Sequence, residues 1–125
     1  MPRVRAFAAA GADTGVDEGL PLAGVAVLDL TINIAGPYAT LVLGDLGADV
    51  LKVEPRRGDD ARRMAPVAGS GSAYFFAVNR NKRSLPLDMR DQADRRVFDE
   101  ALGQADVLVT NLRLETLRTL RLDFR

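Results

Sequence analysis

The chain contains no histidine and no cysteine. Without cysteine there is no disulfide, no thiolate metal site and no thiol nucleophile. Without histidine there is no Ser-His-Asp triad, no Cys-His pair, no HExxH zinc site and no imidazole base. Any chemistry falls to carboxylates, lysine, tyrosine, hydroxyls, backbone groups or a cofactor. Lysine is scarce as well: among 17 basic residues only Lys52 and Lys82 are lysines, the rest being arginine. We read that as a coding bias. Net charge is zero, with 17 acidic residues against 17 basic, so no general attraction to nucleic acid or an anionic membrane is expected. No apolar run approaches the ~20 residues of a membrane span. The stretch Ala6–Ala10 is shorter than a signal h-region and is closed by Gly11 and Asp13. The expectation is a cytoplasmic protein with no nucleic-acid partner, no membrane partner, no metal and no tightly bound cofactor.

What is present is ordinary for one soluble domain: 125 residues, 47% hydrophobic and 27% charged. Such a chain buries roughly two-thirds of its unfolded surface. Residues 1–20 show no periodicity and are expected to form a flexible arm, leaving 21–125 as the domain. Gly24–Leu30, GVAVLDL, reads as a buried parallel strand. Thr31 or Asn33 is placed to cap a helix with Pro37 in its first turn, with Tyr38, Leu41, Val42, Asp45 and Leu46 at roughly helical spacing and Gly47 as its left-handed cap. Asp49–Glu54, DVLKVE, is a second strand stopped by Pro55. Residues 55–71 form a long loop, and Ser72–Val78 a helical turn. Ser84–Met89 is a third strand, confined to an edge by Pro86. Asp91 caps a helix over Gln92–Leu102, with Ala93, Val97, Phe98 and Ala101 inward and Gly103 ending it. Asp106–Thr110 is a fourth strand, followed by a helical stripe Leu114, Leu117, Leu120. The order predicts an α/β fold, a Rossmann-like, mostly parallel sheet with flanking helices.

Four places invite chemistry. In open α/β sheets ligands bind beyond the carboxyl ends of strands, which singles out Thr31–Pro37, where Gly36 would let a ligand approach the backbone, and Asn111. Both also read as plain helix caps. The loop charges Arg56, Arg57, Asp59, Asp60, Arg62 and Arg63 include arginines able to clamp phosphates, or able to pair with each other. Arg80, Lys82 and Arg83 form either a phosphate contact or a surface turn. No GxGxxG is present, and the GSG at Gly69–Gly71 lacks a following Lys-Ser/Thr, so neither a dinucleotide fingerprint nor a P-loop is supported.

Five ordered blocks carry a resemblance: PLAGVAVLDLT, AGPYATLVLGDLGADVLKVEP, GDDAR, SAYFFAVNRNKRSLPLDMR and ADVLVTNLR. Together they resemble the N-terminal part of the class III CoA-transferases (the CaiB/BaiF family of formyl-CoA and carnitine CoA-transferases and acyl-CoA racemases), over about Pro21 to Phe124. The resemblance implies a substrate, acyl-CoA, and an acceptor carboxylic acid. It implies an Asp nucleophile that attacks the thioester to give a mixed anhydride and then an enzyme-bound CoA thioester, chemistry that needs neither His nor Cys. It implies CoA contacts at Ile34 and Ala35, at Leu87, Asp88, Met89 and Arg90, and at Asn111, Leu112 and Arg113, with Arg56 or Arg57 near a phosphate. The chain departs from the pattern in three places. Ile34 stands where formyl-CoA transferases carry Gln, Pro55 where they carry a basic residue, and Leu112–Glu115 where the family reads Phe-x-Pro-Gly.

Family members are several times longer, and none of the Asp residues here matches their nucleophile. The resemblance therefore implies an N-terminal, CoA-binding fragment of a CoA-transferase, truncated relative to the family and without turnover by itself; one form of that reading has the remainder encoded separately. Family members also form interlocked homodimers, so the isolated chain is expected to expose apolar surface. A non-catalytic CoA-binding module or remnant, and a racemase, are the alternatives.

Overall fold

The structure, a computed structural model, describes residues 6–7, 19–69 and 71–123. Most of the expected arm, 1–5 and 8–18, lies outside the described residues. Ala6 and Phe7 are described, and both pack into the core. The elements are β1 (Ala26–Leu30), α1 (Ala35–Asp45), β2 (Asp49–Glu54), a 3-10 turn (Asp60–Arg63), β3 (Val67–Ala68), β4 (Gly71–Ser72), α2 (Ala73–Asn79), β5 (Lys82–Pro86), α3 (Gln92–Leu102), β6 (Val107–Thr110) and α4 (Leu114–Thr119).

Four strands form one parallel sheet in the order β5-β2-β1-β6. Counting only those four, this is the 3-2-1-4 portion of the doubly wound order 3-2-1-4-5-6. The register sets Val27 beside Val50 and Val107, and Glu54 beside Pro86. The third main strand is an edge strand, as Pro86 requires, but it begins at Lys82 and ends at Pro86. Leu87–Arg90 is freed to form a loop. The long loop after β2 also has structure: the 3-10 turn and the β3–β4 hairpin.

The two faces of the sheet differ. Beneath α3 the core is apolar, with Leu28, Leu30, Leu51, Val53, Phe98 and Ala101. Alternation places Val27, Asp29, Val50, Lys52 and Glu54 on the other face, beneath α1. Buried parallel strands are usually apolar on both faces, and over the carboxyl half of this face these strands are not. Asp29 is 0% exposed and Lys52 1%. Burial of such charges is tolerable because each is paired and hydrogen-bonded.

Two local expectations, the Thr31 cap and Ala93 on the apolar side of α3, are corrected, and the buried face of α1 is defined. Thr31 does not cap α1, because its N–H and its hydroxyl both donate to Asp29; Ile34 occupies the N-cap with no side-chain bond. The buried face of α1 is Gly36, Pro37, Thr40 and Leu41, while Tyr38, Val42 and Leu46 are exposed with Ile34 in a stripe spaced by four. On α3, Ala93 is exposed and Asp94 is the buried residue one turn before Phe98. Other boundaries match local chemistry. Gly47 has φ +103°, Ser72 caps α2 through Phe75 N–H, and Asp91 caps α3 through the N–H groups of Ala93 and Asp94.

Candidate functional site

A cavity of about 610 Å3 opens at the carboxyl ends of the strands. That falls in the range of roughly 300–1,000 Å3 typical of small-molecule sites. The end of β1 contributes Leu30, Thr31 and Ile32. The end of β2 contributes Val53, Glu54, Pro55, Arg56 and Arg57. The β5–α3 loop contributes Leu87, Asp88, Met89 and Arg90, and the segment after β6 contributes Leu112.

The cavity walls are held by buried ions. Lys52 Nζ donates to the Thr31 carbonyl at 2.8 Å and pairs with Asp59 at 3.0 Å. One ammonium thus ties the β1–α1 turn to the loop after β2. Glu54 accepts from the Asp59 N–H at 2.7 Å, from Arg62 at 2.6 and 2.7 Å, and from the Ser84 hydroxyl. Burial pushes the Glu54 carboxyl up, but the bonds from Arg62, Ser84 and Asp59 outweigh it and hold the group at about 2. Deeper under α1, Lys82 Nζ donates to Asp29 at 2.9 Å, to the Pro37 carbonyl at 2.8 Å and to Asn79 at 2.9 Å. Burial lowers the Lys82 pKa, opposed by Asp29. No buried side-chain nitrogen or oxygen among the described residues lacks a partner.

A second set of ions closes the side of the cavity. Arg56 donates through Nε and Nη2 to the two oxygens of Asp94, both at 2.8 Å. Asp94 also accepts from the Asp88 N–H at 2.6 Å. Arg90 bends back onto Asp88 at 3.0 Å with its side chain 90% exposed. The Arg56 contact holds the Asp94 carboxyl below the usual range, and Arg90 does the same for Asp88.

Of the positions expected from sequence, Arg56, Leu87, Asp88, Met89, Arg90 and Leu112 line this one cavity, with Arg57 beside them. Ile34 and Ala35 sit exposed at the start of α1, outside the lining, and Arg113 is the exposed N-cap residue of α4. Asn111 is a latch: its Oδ1 accepts from Ile32 N–H at 2.9 Å and its Nδ2 donates to Ile32 O at 2.8 Å. Gly36 is not an opening for a ligand, since a Cβ there would stand 2.5 Å from Thr31 Cβ and 3.1 Å from Asn111 Cγ. The loop charges mostly pair among themselves and with the strand end: Arg57 and Arg63 with Asp60, Arg62 with Glu54, Asp59 with Lys52. The basic turn disperses, Arg80 to Asp45, Lys82 to Asp29 and Arg83 to Asp49.

Thr31 and Ile32, within the Thr31–Pro37 turn singled out from sequence, form one wall with Leu30; sequence reasoning missed Leu30, Val53 and Glu54, and Asp94 altogether. The strand-end rule, extended to both strands, would have found the first three. Asp94 had a fainter signal, an acid at the position of α3 that falls on the line of Phe98 and Ala101. Among the described residues no helix is long and apolar enough to cross a membrane. Nor does any group of three or more acidic side chains there stand arranged to hold a metal.

Known proteins share this fold. The chain is 46% identical over 94 residues to acetyl-CoA:oxalate CoA-transferase of Acetobacter aceti, which covers 74% of this chain and 24% of that protein. It is 47% identical over 93 residues to human succinyl-CoA:glutarate CoA-transferase, covering 73% of this chain and 21% of that one. A solved CaiB/BaiF family protein from Brucella suis superposes with a TM-score of 0.78 at 39% identity, over 84% of this chain and 29% of that one. The chain therefore spans about a quarter of the length of the curated relatives it matches. The family model for CoA-transferase family III matches residues 22–125, almost the whole of the domain built around the cavity, and the chain belongs to that family.

Proposed function

We propose that the cavity receives the CoA part of an acyl-CoA, and that the chain is the CoA-binding portion of an enzyme passing CoA between an acyl-CoA and a carboxylic acid. The observation that carries the reading is the convergence of Arg56, Leu87–Arg90 and Leu112 on one cavity at the strand ends. Its chemistry suits an elongated thiol ester of a phosphorylated nucleotide. Leu30, Val53, Leu87 and Leu112 offer an apolar floor for the pantetheine chain. Arg56, Arg57 and Arg90 stand at the rim, with side chains 66%, 70% and 90% exposed, where phosphates can be met without desolvating a buried cation. The names of the two relatives above supply the transfer of CoA.

Titration calorimetry of the full chain with CoA tests the binding. A charge-assisted hydrogen bond to phosphate contributes about 1.5–3 kcal/mol, so Arg56→Ala is expected to weaken CoA binding by roughly tenfold or more. No heat of binding from the wild-type chain at millimolar CoA would overturn the reading. Equal affinities for wild type and variant would leave Arg56 as loop charge.

The 125-residue chain alone is expected to bind CoA without turning it over. The carboxylates nearest the cavity are all engaged by cations: Glu54 by Arg62, Asp88 by Arg90 and Asp94 by Arg56. A carboxylate held that way is a poor nucleophile toward a thioester. Incubation with acyl-CoA donors and carboxylate acceptors, followed chromatographically, checks this. Transfer above the rate without protein, abolished by Asp88→Asn, would contradict it.

A further inference from the structure

We infer that Asp94 is a positioning residue that aims Arg56 at an anionic group of the ligand. The inference rests on the CoA-binding reading. Asp94 sits in the first turn of α3, buried, three residues after the cap Asp91. An acid at that position often reaches back to the N–H of the cap residue. Here its carboxylate turns the other way. One oxygen accepts from Arg56 Nη2, and the other accepts from both Arg56 Nε and the Asp88 N–H.

The geometry divides the guanidinium into two edges. Nε and Nη2 are taken side-on by Asp94, both at 2.8 Å. The remaining edge, Nη1 with the second proton of Nη2, has no acceptor among the described residues. A guanidinium is a planar fork whose two-nitrogen edge matches a phosphate bidentately. Fixing one edge on a buried carboxylate orients the other, so less rotamer freedom is lost when the anion arrives. Asp94 is suited to the task because it is anchored: its side chain is 11% exposed against 66% for Arg56. Through the Asp88 N–H the same carboxylate holds the 87–90 wall of the cavity to the 55–57 wall. A structural role and a positioning role therefore have to be separated by experiment.

The test uses calorimetry of the full chain with two probes, CoA and pantetheine, which lacks every phosphate. Asp94→Asn keeps one oxygen for the Asp88 N–H and removes the charge and the bidentate grip on Arg56. It is expected to weaken CoA binding about five- to tenfold and to leave pantetheine binding unchanged. In the Arg56→Ala background the same substitution should have no further effect on CoA. Equal weakening of both probes by Asp94→Asn would show that it merely supports the wall. Additive effects of the two substitutions on CoA would show that Asp94 does not act through Arg56. Either result overturns the inference while leaving the CoA reading intact. Absence of CoA binding by the wild-type chain removes the reading and the inference together.

Discussion

Asp29→Leu is expected to cost about 3–5 kcal/mol of folding stability, the range for breaking a buried ion pair by removing one partner. A domain of ordinary stability has only about 5–15 kcal/mol to lose. Asp29 is 0% exposed and is the acceptor for four donors: the N–H and hydroxyl of Thr31, the Thr40 hydroxyl at 2.6 Å and Lys82 Nζ at 2.9 Å. The threonine hydroxyls lose less, since Thr40 can still donate to the Pro37 carbonyl at 3.1 Å. Lys82 loses most. Its other acceptors, the Pro37 carbonyl and Asn79, are neutral, and burial already lowers its pKa. An ammonium without a counterion there must shed its proton or reach water by opening α1. Urea unfolding followed by circular dichroism gives the loss. The partner variant Lys82→Met should cost a similar amount. Asp29→Leu with Lys82→Met together should cost less than the two singles added, because a buried pair exchanged for apolar groups of like volume is often close to neutral. A variant that does not fold meets the expectation; an Asp29→Leu chain within about 1 kcal/mol of wild type defeats it.

Glu54 is expected to make stability fall in acid by about 3 kcal/mol. Its carboxyl is held at about 2 in the folded chain against 4.5 unperturbed. At roughly 1.4 kcal/mol per unit the difference is worth about that much. A depressed carboxyl contributes fully above its unfolded pKa and loses the contribution as pH falls toward its folded value. The window therefore runs from about pH 5 down to about pH 2. Other acids, Asp88 and Asp94 among them, titrate low as well, so the comparison is with Glu54→Gln. An amide resembles the protonated acid. The variant should be less stable than wild type at pH 7 by about 3 kcal/mol and should converge on it near pH 2. Two curves that run parallel from pH 7 to pH 2 would mean that the Arg62 and Ser84 bonds do not set the folded pKa.

Much of the fold is legible because its signals are local. Asp91 and Gly103 bracket α3 at the positions found, Gly47 ends α1, and DVLKVE is β2 residue for residue. The site is half legible. A rule about strand ends points to the side of the sheet where the cavity opens, and six of the ten positions expected from the resemblance line that cavity, with Arg57 beside them. The remainder was not readable for a physical reason. Asn111 and Gly36 look like ligand positions when each is seen alone; their side-chain space is filled by residues 79 and 5 positions away, Ile32 and Thr31.

The sequence by itself determined the types of the four main strands and of the helices between them, the edge position of β5, the order of the α/β units and the family. Each depends on neighbours in the chain, or on blocks whose order survives without coordinates: caps within three residues, a proline that cannot donate, apolar runs of strand length. The tertiary structure alone decided which charges are buried and what each one faces. Asp29 meets Lys82 across 53 residues, Lys52 reaches the Thr31 carbonyl across 21, and Arg56 finds Asp94 across 38. Nothing in GVAVLDL or DVLKVE marks Asp29, Lys52 or Glu54 as inward-facing ions, because a strand's alternation shows which residues share a face and not what is packed against it. Only the placing of β5 in the sheet and the docking of α1, α2 and the 3-10 turn onto that face supply the partners, and with them the free energy that lets six charges, from Asp29, Lys52, Glu54, Asp59, Arg62 and Lys82, pair on that face.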